Sequence, residues 1–102
     1  MMNQNDVATF TNTVTQNLYQ LLVAQAKQMS FDEVQSNILA NQIVPPLKPL
    51  IQSKLLSSTT TKATAAMSSL VLGPVVYVPQ NQKFAKLNAA AKSCLEAYFA
   101  KL

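Results

Sequence analysis

The sequence predicts an all-α protein of four to five helices, and three observations carry that expectation. Apolar residues recur at three- and four-residue spacing near both ends of the chain. Of the 102 residues 49% are hydrophobic, and glycine occurs once. Pro45, Pro46 and Pro49 stand together near the middle, where they would divide one set of helices from another. The length suits a single domain, so residues 1–102 are read as one helical domain.

In chain order, Asp6 is the expected N-cap of a first helix. Val7, Phe10, Val14, Leu18, Leu21, Leu22 and Met29 follow it at helical spacing. Thr9, Thr11, Thr13 and Thr15 alternate in a way that suits a strand. The helical period, however, continues to Met29 with no turn signal to stop it. Ser30 and Glu33 have the form of a capping box, with Met29 placed to pack against Val34. A second helix should follow, with Phe31, Val34, Ile38 and Ile43 inward, packed antiparallel or at a sharp angle to the first.

That helix is expected to stop at Val44. Three prolines in five residues remove three backbone donors and disfavour helical geometry in the residues before them. Pro49 then suits the first position of a new helix, making residues 44–50 a stiff elbow. A rigid loop within one domain is favoured over a joint between independent halves, since each half is short for a core of its own. Beyond it, Leu50, Ile51, Leu55 and Leu56 begin another stripe, residues 57–61 interrupt or re-cap it, and helix is expected from 63 to 72. Gly73 stands where a left-handed cap would need glycine, and Pro74 blocks continuation. A short extended segment is expected at 75–78. Asn81 is the expected cap of a last helix carrying Phe84, Leu87, Ala91, Cys94, Leu95, Tyr98 and Leu102.

These elements suggest a tandem pair of helical hairpins, 5–44 and 49–102. Thr11, Thr13, Leu22 and Val23 recur as Thr59, Thr61, Leu70 and Val71, and Phe31 and Val34 correspond to Phe84 and Leu87. In a chain this rich in Thr, Leu and Ala, coincidence stands beside duplication.

Charge is sparse and uneven. Residues 1–50 hold Lys27 and Lys48 against Asp6, Asp32 and Glu33, a net −1. Residues 51–102 hold six lysines against Glu96, a net +5, and no arginine occurs. Lysine alone suits attraction to an acidic surface better than bidentate reading of phosphates or base edges. No run reaches bilayer length and the first residues lack the form of a secretory signal, so an intracellular protein is expected.

The residue types argue against catalysis. Histidine is absent, and with it the commonest general base and metal ligand. Cys94 is expected as a buried structural thiol. The four carboxylates have local roles, and one glycine cannot build a phosphate loop. No catalytic residue, metal or cofactor is expected.

Small size, a single domain, a polar face of Thr, Gln and Asn, and missing catalytic types make the chain resemble the small orphan proteins of archaeal filamentous viruses of the lipothrixvirus kind. The resemblance implies protein–protein contact or a virion role, with the host cytoplasm as location. The chain departs from the Lys and Glu enrichment of proteins from hot environments.

The leading functional expectation is a non-enzymatic module that binds a peptide, a protein or a second copy of itself, as a homodimer, in a groove between the two halves. Leu47, Leu50 and Ile51 would line one side of that groove. Leu70, Leu72, Val75, Val76 and Tyr77 would line the other, with the 75–78 edge open to an added strand. The alternatives are a non-specific nucleic-acid binder using Lys83, Lys86, Lys92 and Lys101, and a structural subunit.

Overall fold

The computed structural model describes residues 3–57, 70–73 and 79–101. They form three α-helices: α1 (Gln4–Gln28), α2 (Glu33–Ser57) and α3 (Lys83–Ala100). A 3₁₀ turn at Gln80–Gln82 leads into α3, and the described residues contain no strand. The all-α class holds, but the expected four to five helices are corrected to three among the described residues.

Helix α1 follows the apolar period rather than the threonine alternation. Its buried positions are Val7, Thr11, Val14, Leu18, Leu22 and Ala26. Thr9, Thr13 and Thr15 turn their hydroxyls onto carbonyls of the preceding turn, those of Asn5, Thr9 and Thr11, which satisfies them inside a helix. The cap is Asn3, whose side chain accepts the Asp6 N–H at 2.8 Å. Asp6 is thereby corrected from cap to first turn, where its charge faces the positive helix end.

The turn between α1 and α2 also differs from the expected box. Ser30 adopts a left-handed conformation, φ 73°. Its N–H donates to the Lys27 carbonyl and the Phe31 N–H to the Ala26 carbonyl, both at 3.1 Å. This pair of bonds closes a helix C-terminus, and glycine usually occupies the left-handed position. The capping box lies two residues further on. Asp32 Oδ1 accepts the Gln35 N–H at 2.7 Å, and Gln35 Oε1 accepts the Asp32 N–H at 3.4 Å.

The largest correction is the proline elbow. Helix α2 runs unbroken through Pro45, Pro46 and Pro49. Its buried positions, Ser36, Ala40, Ile43, Val44, Leu47, Ile51 and Leu55, keep one stripe in phase on both sides of the prolines. At about 100° per residue, all three prolines fall on the opposite, exposed side. Proline in a helix interior costs about 3 kcal/mol or more. The carbonyls deprived of an N–H partner, those of Asn41, Gln42 and Pro45, belong to exposed residues and can turn to water. Burying Val44, Leu47, Ile51 and Leu55 contributes about 1.5–3 kcal/mol each, and only a continuous helix can bury all four.

With no elbow, the tandem hairpins are withdrawn. The hairpin formed among the described residues, α1 with α2, spans the supposed junction, and Leu70 and Val71 lie outside any helix whereas Leu22 and Val23 are helical. The helix expected from 63 to 72 is absent from its described end, residues 70–72. Gly73 does not take a positive φ, so it is no left-handed cap. The extended segment at 75–78 falls outside the described residues.

Helix α3 begins at the α1–α2 turn, where Lys83 Nζ donates to the Met29 carbonyl at 2.8 Å and lies 5.2 Å from the centre of the Phe31 ring. Asn81 sits within the 3₁₀ turn and Gln82 precedes α3 without a side-chain cap, which corrects the expected Asn81 cap. Leu87, Ala91, Cys94, Leu95 and Tyr98 enter the same core as α1 and α2, so α3 runs back along the hairpin, parallel to α2. Leu70 and Leu72 pack against this core half-buried. The molecule measures 42 × 21 × 18 Å, its long dimension close to the roughly 37 Å of a 25-residue helix.

Candidate contact surface

Of the residues expected to line a groove, the described ones do not gather into one. Leu47 and Ile51 are core residues between α2 and α1. Leu50 is partly exposed, at 42%, on the same helix. Leu70 and Leu72 cover the core, and Val75, Val76 and Tyr77 lie outside the described residues. The reason is the helix itself: once α2 is continuous, Leu47 and Ile51 turn into the core rather than toward a cleft at an elbow.

The four lysines do not form a patch. Lys83 is half-buried and committed to the Met29 carbonyl and the Phe31 ring, where its charge suits the C-terminal end of α1. Lys86 and Lys92 are exposed but point about 120° apart around α3, with Glu96 on the arc between them. Lys101 follows the end of the helix.

Cys94 is buried and unpaired. Burial pushes its thiol above the ordinary value, while the Val71 backbone and Lys101 pull the other way. Burial likewise raises Tyr98. A thiol held protonated is a poor nucleophile. Among the described residues no three of His, Cys, Asp and Glu gather where a metal could be held. No described helix is long and apolar enough to cross a membrane.

Two shallow hollows lie among the described residues. The first, about 300 Å³, lies along the α1–α2 seam and is lined by Tyr19, Gln20, Val23, Lys27, Glu33 and Asn37 among others. Its polar groups are already engaged. Tyr19 Oη donates to Asn37 Oδ1 at 2.6 Å and accepts from Asn41 Nδ2 at 3.3 Å, and Lys27 pairs with Glu33 at 3.8 Å. These bonds tie the two helices together rather than await a ligand. The second hollow lies on α2 alone, over Pro49, Gln52, Ser53, Leu56 and Ser57.

That second hollow belongs to a longer feature. Among the described residues, Val34 (69% exposed), Ile38 (51%) and Leu56 (48%) are, with Leu50, four of six exposed large hydrophobics, and all four lie on α2. Val34 and Ile38, expected inward, in fact face solvent. At about 100° per residue, Val34, Ile38, Pro45, Pro49 and Leu56 fall in a sector about 60° wide, roughly opposite the core. Gln52 shares it, and no charged residue does. The signal is present in the sequence as a 4-7-4-7 spacing running through the prolines, whose local chemistry points to a helix end instead.

The chain matches no protein-family model, no curated protein and no solved structure.

Proposed function

We propose that this protein is a non-enzymatic protein-interaction module that engages another polypeptide through the outer face of α2. The observation that carries this reading is the uncharged apolar stripe of Val34, Ile38, Pro45, Pro49 and Leu56, lying outside the core. A surface helix ordinarily presents polar residues outward, and a contiguous exposed apolar stripe marks a contact site more often than a solvated face. The groove between two halves is replaced by this single helix face, a helix-packing rather than a strand-adding mode of recognition.

The lysine-based reading is disfavoured by the engagement of Lys83 and the dispersal of Lys86 and Lys92 around α3. It would require duplex DNA binding at low salt with a steep salt dependence; none is expected.

A photo-crosslinking side chain at Ile38, compared with one at Gln16 on α1, tests the proposal in living cells. A discrete adduct from position 38 and none from position 16 is expected. No adduct from 38, or equal adducts from both, would overturn it.

A further inference from the structure

We infer that the end of α2, residues 49–57, is a hinged strap that leaves and rejoins the core at the level of the prolines while the rest of the hairpin stays closed. The inference goes beyond the contact reading and holds whether or not a partner engages the outer face.

Three weak points fall at one level of the bundle. Side-chain contacts give the register of the hairpin: Tyr19 bonds to Asn37 and Asn41, and Lys27 pairs with Glu33. Eight residues back from Tyr19 is Thr11, and eight forward from Asn37 and Asn41 are Pro45 and Pro49. The two helices run antiparallel with the same rise per residue, so Thr11 lies level with the proline segment. On the outside of that level, α2 lacks the three ladder bonds that Pro45, Pro46 and Pro49 cannot donate. On the inside, Thr11 Oγ1 is buried with no hydrogen-bond partner among the described residues. Thr9, Thr13 and Thr15, by contrast, each bond to a carbonyl of the preceding turn. A buried hydroxyl without a partner is a cost that opening to water removes. Between the two, Val44 and Leu47 each keep 6% exposure, against at most 1% at Ala40, Ile43, Ile51 and Leu55.

The two sides of this level are held differently. Toward the α1–α2 turn, Tyr19, Lys27 and Lys83 tie the elements together with side-chain bonds. Ser36 Oγ is also buried and unpartnered on that side, but its turn of α2 keeps its ladder, the Ser36 N–H donating to the Asp32 carbonyl at 2.9 Å. Beyond the prolines, Ile51 and Leu55 hold the strap to the core by apolar packing. Helices bend where proline interrupts the ladder, and a segment with fewer ties opens on its own, below the free energy of global unfolding. Val34 and Ile38 stand on the fixed part of α2 and Leu56 on the strap. The outer stripe is therefore in line only while the strap is closed.

Amide hydrogen exchange on the full chain, read residue by residue, tests the hinge. The amides of 51–55 should share one protection factor, about 10-fold or more below that of 39–43, with the step between 44 and 50. Two variants separate a strap from an end that merely frays. Tyr19→Phe removes bonds that the open strap leaves intact, so it should lower protection at 39–43 about 5-fold and leave 51–55 unchanged. Thr11→Val removes the buried hydroxyl at nearly the same size, and should raise protection at 51–55 about 5-fold or more. Equal protection throughout α2, a gradual decline from 47 to 57, or a Tyr19→Phe loss shared by both groups would overturn the strap. No response of 51–55 to Thr11→Val would overturn the placing of the hinge at the level of Thr11.

Discussion

Helices α1 and α2 are each 25 residues long and pack against one another along their inner faces, yet their outer faces are opposites. The outer face of α1 carries Asn5, Thr9, Asn12 and Gln16, all exposed. That of α2 carries Val34, Ile38, Pro45, Pro49 and Leu56. The α1 face presents polar side chains able to hydrogen-bond to water, and Thr9 donates to the Asn5 carbonyl. The α2 face does neither well, having apolar side chains and a stretch of backbone that lacks donors. Two helices of one hairpin share the same core and the same solvent, so the core cannot account for the difference. A role for the outside of α2 can.

The largest effects should separate inside from outside on α2. Ile51→Ala and Leu18→Ala, on the two inner faces, should each destabilise by about 2–5 kcal/mol in chemical denaturation. Ile38→Ala and Val34→Ala should stay within about 0.5 kcal/mol. Comparable losses at Ile38 and Ile51 would mean that the outer stripe is already packed within the monomer.

Next come the prolines. Pro45→Ala or Pro49→Ala restores an N–H on the exposed side of an existing helix, and should stabilise by up to about 3 kcal/mol. Gln16→Pro on the outer face of α1 should cost about as much. A loss of stability in Pro45→Ala would argue that α2 is not one continuous helix.

Much of α1 and α3 was legible because their three-four spacing meets no contrary local signal: Val7, Val14, Leu18 and Leu22, and Leu87, Ala91, Cys94, Leu95 and Tyr98, all reach the core. Helix was legible on both sides of the prolines, with Ile43, Ile51 and Leu55 buried as their spacing suggests; the continuity of α2 was not legible, and the reason is a competition of scales. Proline acts on one turn, whereas the stripe from Ser36 to Leu55 acts over five, and packing integrated over five turns outweighs the local cost. A helix that stops at Val44 also leaves its phase open, and only the stripe continuing to Leu55 turns Val34 and Ile38 outward. The capping chemistry was right in kind and two residues early. Of the residues expected to line the groove, Leu50 is exposed on α2 but lies about 100° around the helix from the edge of the outer stripe; Leu47 and Ile51 are apolar for the ordinary reason of being core.

Smaller changes sharpen the seam and the turn between the two helices. Tyr19→Phe removes the hydroxyl that bonds Asn37 and Asn41, and should cost about 1 kcal/mol. A neutral result would mean that the seam is held by packing alone. Ser30→Gly relieves a non-glycine residue at φ 73°, and should stabilise by under about 1 kcal/mol. Destabilisation there would contradict the left-handed turn that closes α1.

Carbene footprinting, read residue by residue in dilute purified protein and again in the cells that make it, addresses the central contrast most directly. Val34, Ile38 and Leu56 should label strongly in the dilute protein and be protected in cells, while Asn5, Gln16 and Gln20 on α1 should label equally in both. Equal labelling of the α2 stripe in the two settings would contradict the claim that this face exists to be covered.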